Sequence, residues 1–177
     1  MGGLAVSARA EPRFTRDIDL VVLVASDPDA ERLVHDLQAR GYRVQAIVEQ
    51  EAAARLATAR LVPTGEDEPG VVVDALFASS GIEPEIVSEA ETVEVLANLR
   101  IPVATIGHLI ALKILARDDT TRPMDRADLL ALIGAAGPAD LAQARTAVAL
   151  IHRRGFQRDR DLLAELDRLL RERGLRP

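Results

Sequence analysis

Hydrophobic and polar positions divide the chain into a first half with strand-like runs and a second half with helical spacing. Asp17 to Val24, DIDLVVLV, opens with acidic and apolar residues in alternation and continues as a β-branched apolar run. That pattern predicts a buried strand in which Ile18 points into the core. Asp27 to Arg40 carries Pro28 near its start, apolar Ala30, Leu33, Val34 and Leu37 at helical spacing, and Gly41 just past its end, which predicts an amphipathic helix. Tyr42 to Val48 alternates as a second strand, and Arg60 to Pro63 gives a short third. Gly70 to Ala78, GVVVDALFA, is a further β-branched segment that Asp74 interrupts.

Short extended pieces around Pro102 fill the stretch from Val93 to Val103, and then the pattern changes. Thr105 to Arg117, Met124 to Ala135, Pro138 to His152 and Asp159 to Arg173 all carry apolar residues three and four apart, so four helices are expected. Thr105 and Asp159 are suited to cap two of them, while Gly137-Pro138 and Arg154-Gly155 separate neighbours. Strands joined by helices and followed by more helices describe a mixed α/β (α+β) fold. The expected division is an α/β core over 1–104 and a helical region packed on it over 105–177.

Composition narrows the chemistry. At 177 residues, 48% hydrophobic and 28% charged, the chain has the make-up of a soluble globular domain able to bury a core. No apolar run approaches the ~20 residues that span a bilayer, so no membrane partner is expected. The absence of cysteine and the lack of a signal-like N-terminus lead to an expected cytoplasmic location. With no cysteine and only His35, His108 and His152, thiol nucleophiles and Cys/His zinc sites are excluded. A metal would have to sit on oxygen, which suits magnesium or manganese. The net charge of −6 is uneven, because residues 151–177 hold eight arginines against five acids. Such a tail fits either a salt-bridged surface helix or a polyanion contact.

Attention therefore falls on the aspartates. In a strand, residues two apart share a face, so Asp17 and Asp19 project side by side and repel each other. A divalent cation between them relieves that repulsion. Asp74 sits among Val71, Val72, Val73, Ala75, Leu76 and Phe77, where an unpaired charge is costly. If its strand neighbours the first, the three carboxylates form one site for one or two magnesium ions. The competing expectation is a solvated strand edge for the pair and a hydrogen bond at a bend for Asp74.

Gly2-Gly3-Leu4-Ala5-Val6, then Arg13-Phe14-Thr15-Arg16-Asp17-Ile18-Asp19-Leu20, then Val72-Val73-Asp74, together resemble the nucleotidyltransferase superfamily and in particular the AbiEii-like toxins. The stretch Ile101 to Lys113, with Arg122, Asp125 and Asp128, is similar to that family's helical region, so the resemblance covers positions 2 to about 130. It implies a small mixed nucleotidyltransferase-type sheet. It also implies a glycine turn leading into a short helix, three catalytic aspartates holding Mg2+ or Mn2+, a nucleoside triphosphate as substrate, and a lysine near the nucleotide at Lys113. In the family more chain, including a strand, precedes the glycine pair. Here Met1 stands directly before it, so a truncated or misassigned start and a poorly ordered Gly2 and Gly3 are expected.

Elementary chemistry agrees with these roles. Gly2 and Gly3 let the backbone approach a phosphate and offer it N–H groups at a helix start. Lys113 is the only lysine against twenty-one arginines and lies on an otherwise apolar helix, where it either snorkels to water or pairs with something buried. Arg13 and Thr15 can reach triphosphate oxygens or shape the turn before the acidic pair. Arg122, Asp125 and Asp128 open a helix, where acids favour the N-terminal dipole, and one of them can orient Lys113.

The activity implied is transfer of a nucleoside monophosphate to an acceptor hydroxyl, with Asp74 helping to deprotonate the acceptor. The resemblance suggests an RNA acceptor such as the end of tRNA, and an antitoxin partner. The alternatives are a protein hydroxyl (an AMPylating enzyme), an aminoglycoside-type small molecule, and a catalytically silent nucleotide-binding module. A structural protein with no nucleotide site is the remaining one. Three phenylalanines and one tyrosine leave little for base stacking.

Overall fold

Alternating side chains in the first half build one mixed sheet with a helix on one face and the rest of the chain on the other. The computed structural model describes residues 1–50, 55–65, 71–118 and 123–175. Helix α1 (Gly2–Arg9) precedes strand β1 (Asp17–Val21), helix α2 (Asp27–Ala39), β2 (Tyr42–Gln50), β3 (Arg55–Pro63) and β4 (Val72–Leu76). A short α3 (Glu83–Ser88) and the hairpin β5 (Glu91–Leu96) and β6 (Leu99–Val103) lead to α4 (Ile106–Ala116), α5 (Pro123–Ala135), α6 (Pro138–Arg153) and α7 (Leu162–Glu172). The mixed α/β class expected from the pattern is the class observed.

The sheet runs β1-β4-β3-β2, with β1 and β4 parallel and the other pairs antiparallel. One face packs on α2 through Ala30, Val34, Ala59, Leu61, Ala75 and Phe77. The opposite face looks toward the helical half. There α4 is apolar on nearly every side, which is the composition of a helix enclosed by others. It packs against α5, α6 and α7, whose Leu129, Leu132, Val148, Ile151, Leu166 and Leu169 are buried with it. Ala5 and Val6 of α1 belong to this same core, so α1 bridges the sheet and the helices.

Several expectations are corrected. Strand β1 is an edge strand, paired only with β4, so Ile18 is half-buried and Leu20 is exposed rather than enclosed. Strand β3 begins at Arg55, five residues before the expected start. The extended pieces near Pro102 are one antiparallel hairpin turning at Asn98, which has φ 65°. Helix α7 starts later than expected because Arg158 and Asp159 take φ of 54° and 55°; Asp161 caps it by accepting from Ala164 N at 3.0 Å. Thr105 caps α4 as expected, accepting from His108 N. Gly70, expected to begin a strand, lies outside the described residues.

Candidate active site

Register decides which carboxylates meet. Asp19 on β1 is paired with Asp74 on β4, and Asp74 is paired in turn with Arg60 on β3. Paired residues on neighbouring strands share a face, and Asp17 lies two residues before Asp19, so all four side chains stand on the face away from α2. Asp74 is buried, and both its oxygens are taken by Arg60, from Nε to Oδ1 at 2.8 Å and from Nη2 to Oδ2 at 2.6 Å. The same Nη2 lies 3.9 Å from Asp17 Oδ2. This carboxylate partnership raises the Arg60 guanidinium above its ordinary value. Burial pushes the Asp19 carboxyl up, with Asp74 and Asp17 adding to the rise against the terminal ammonium and Lys113.

Helix α1 backs the acidic face. Gly2 has φ 72°, and a Cβ on it would stand 1.6 Å from Asp19 Oδ2, so only glycine fits both the conformation and the space. A Cβ on Gly3 would meet Thr15 Oγ1 at 2.7 Å and Arg13 Nη2 at 2.8 Å. The glycine pair is therefore packed and helical, not the loose terminus expected. Thr15 Oγ1 donates to the Asp17 carbonyl at 3.2 Å, which shapes the approach to β1.

A second charged cluster lies on the helical side. Lys113 of α4 meets Asp125 Oδ1 and Asp128 Oδ2 of α5, each at 2.7 Å, with the lysine side chain 12% exposed. Arg13 closes on Asp128 through two bonds, Nε to Oδ1 at 2.6 Å and Nη2 to Oδ2 at 2.7 Å. Burial would raise the Asp128 carboxyl, but hydrogen bonds from Arg13 and Lys113 outweigh it and hold the group below the ordinary range. Asp125 and Asp128 thus do more than favour the helix dipole, since both fix Lys113. Arg122 lies outside the described residues.

Between the clusters is a cavity of about 650 Å3 lined by Gly2, Gly3, Asp17, Asp19, Asp74 and Lys113, among others. Its lining also includes Thr58, Ser79, Ser80, Arg16 and Arg158. Glu83 accepts from the amides of Ser79 (2.8 Å) and Ser80 (2.7 Å) and so fixes the loop after β4 at the cavity wall. Three arginines of the tail have partners in the fold: Arg154 pairs with Glu85 and Arg160 with Glu165, while Arg173 donates to the Leu130 carbonyl. Arg153, Arg168 and Arg171 are exposed.

The sequence reasoning missed Arg60, Ser79, Ser80 and α3. Arg60 carried a signal, as a charged residue inside the apolar stretch Leu56 to Val62. The two serines sit in a loop, where neither period marks them.

Residues 1–176 match the family described as nucleotidyl transferase AbiEii toxin of type IV toxin–antitoxin systems. The chain belongs to the AbiEii family. Comparison with curated proteins gave no match. Membership makes the protein a nucleotidyltransferase-family toxin. The parallel β1/β4 pair is accordingly the place to look for its chemistry. Among the described residues no helix is long and apolar enough to cross a membrane.

A divalent cation can be tested against the donor set of this AbiEii chain. Asp17, Asp19 and Asp74 offer only oxygen and share one face, and the Asp19 carboxyl, raised first by burial, is raised further by Asp74 and Asp17. In chemistry and charge the residues fit magnesium or manganese. Among the described residues no three acidic or histidine side chains already close into a metal cage, consistent with Arg60 holding Asp74.

Proposed function

We propose that the protein transfers a nucleoside monophosphate from a nucleoside triphosphate to an acceptor hydroxyl, with Asp17, Asp19 and Asp74 as ligands of Mg2+ or Mn2+. The observation that carries this reading is the pairing of Asp19 with Asp74 on parallel strands in the wall of a cavity that Lys113 also lines. A bound divalent cation would orient the triphosphate and neutralise charge at the α-phosphorus.

The protein's own residues do the rest. Gly2 and Gly3 let the start of α1 pack directly against Asp19, Thr15 and Arg13 at the cavity wall, where its N–H groups would face the phosphates. Asp125 and Asp128 take two of the three N–H donors of Lys113, which aims the third at a phosphate oxygen. Arg13 holds Asp128, and through it the position of the lysine. As the acceptor oxygen bonds to the α-phosphorus in line, the bond to the β-phosphate oxygen breaks, pyrophosphate leaves, and Asp74 takes the hydroxyl proton. The acceptor class we favour is an RNA end such as that of tRNA, on the strength of the family. A toxin of this family is also expected to have an antitoxin partner.

One observation favours a different reading, a silent nucleotide-binding module: Arg60 occupies both oxygens of the residue assigned as base. The deciding measurement is pyrophosphate release and label transfer from each α-labelled triphosphate with magnesium, offering total tRNA and cell extract, beside Asp17→Asn. Label on RNA that disappears in the variant supports the transferase; label on protein moves the acceptor to a protein hydroxyl. Metal-dependent nucleotide binding without release establishes the silent module.

A further inference from the structure

Arg60 is placed by register, not by chance contact. It stands across from Asp74 on one side as Asp19 does on the other, so its side chain is delivered to the acidic face by the backbone ladder itself. One guanidinium serves two carboxylates: its fork holds Asp74, and Nη2 lies 3.9 Å from Asp17. Three carboxylates thus share this face with one guanidinium.

The arginine is also able to leave. Its side chain is 42% exposed, whereas that of Asp74 is 10% exposed, so the cation is the partner open to solvent. Among the described residues the hydrogen bonds of its guanidinium go to Asp74, and the other ion pair given up when it moves is the looser approach to Asp17 at 3.9 Å. Arg13 differs in this respect. Its fork on Asp128 is joined by a bond to the Phe14 carbonyl, and the carboxylate it holds is only 2% exposed and shared with Lys113.

We infer that Arg60 is a displaceable internal counter-ion, which holds Asp74 in the metal-free protein and swings off it when a divalent cation binds the aspartates. The inference rests on the metal reading given above. It makes metal affinity the outcome of a competition between a monovalent guanidinium already in place and a divalent ion arriving from solvent. It also reconciles the occupied Asp74 with its role as a metal ligand, since Arg60 holds the carboxylate only until metal enters.

Binding of Mn2+, read by electron paramagnetic resonance, should distinguish the wild type from Arg60→Met, which keeps an unbranched apolar stem but not the charged guanidinium. The variant is expected to bind Mn2+ about tenfold more tightly or better. Its melting temperature should fall below that of the wild type without metal and recover when Mn2+ is added, because the ion replaces the lost partner of Asp74. Should Arg60→Met fail to fold, Arg60→Lys carries the same test. A lysine cannot grip both oxygens, so it too should give tighter Mn2+ binding than the wild type. Equal Mn2+ affinity in wild type and variant would overturn this inference alone. No Mn2+ binding by either protein would overturn it together with the metal reading.

Discussion

Two charged clusters face each other across one cavity, and they differ in how their charge is closed. On the helical side Arg13 and Lys113 meet Asp125 and Asp128, two cations against two anions, joined by three ion pairs of 2.6–2.7 Å. On the sheet side Arg60 faces Asp17, Asp19 and Asp74, and the acids outnumber it. A balanced buried network is stiff and fixes geometry, because removing any member strands another. An unbalanced one stores repulsion that an incoming cation relieves. On the proposed reading, the first positions and the second binds.

The strongest way to break this comparison is Asp128→Ala. It leaves Arg13 and Lys113 without a shared partner, and the expected loss is about 3–5 kcal/mol of unfolding free energy by urea denaturation. Asp17→Asn is its counterpart. That change should leave stability within about 0.5 kcal/mol while ending label transfer, since it removes charge from the overloaded side. Equal destabilisation by the two variants would erase the distinction.

Gly2→Ala tests how α1 supports the acidic face. The added methyl meets a left-handed backbone and the Asp19 carboxylate together, so a loss of about 1–3 kcal/mol is expected in the same assay. An unchanged midpoint would show that Asp19 can move aside freely.

The smallest effect is in the response to acid, where the clusters should have opposite signs. Asp19 is raised above the ordinary aspartate value of 3.8, so the folded state binds its proton more tightly than the unfolded chain does. Its penalty is fully present above its raised value and is relieved as pH falls from there toward 3.8. Asp128 is lowered, so its contribution is complete above 3.8 and is lost as pH falls below that toward its folded value. Denaturation midpoints of wild type and Asp19→Asn across this range should therefore differ above 3.8, and curves that stay parallel there would contradict the assignment.

The parts of this design that are local were legible in the sequence. A period of two places Asp17 and Asp19 together, and a period of 3.6 locates α2, α5 and α6 to within a residue or two. Helix α3 has six residues, too few for a period to show, and two glycines weaken any helical signal at α1. What could not be read is register. Nothing local in Leu56 to Val62 says that Arg60 lies across from Asp74, because strand pairing is settled by the whole sheet. The grip of Asp125 and Asp128 on Lys113 was only half visible, since it depends on how α4 and α5 cross.

The bond from Arg13 to Asp128 joins residues 115 positions apart. A ribosome delivers the acidic face, β1 to β4, well before it delivers the helix that answers it. A nascent chain ending short of Asp128 carries its carboxylates but has no fixed lysine opposite them, and α1 has not yet gained the core into which Ala5 and Val6 pack. On the proposed reading, a fragment released before Asp128 lacks the fixed lysine that transfer requires and is expected to be inactive.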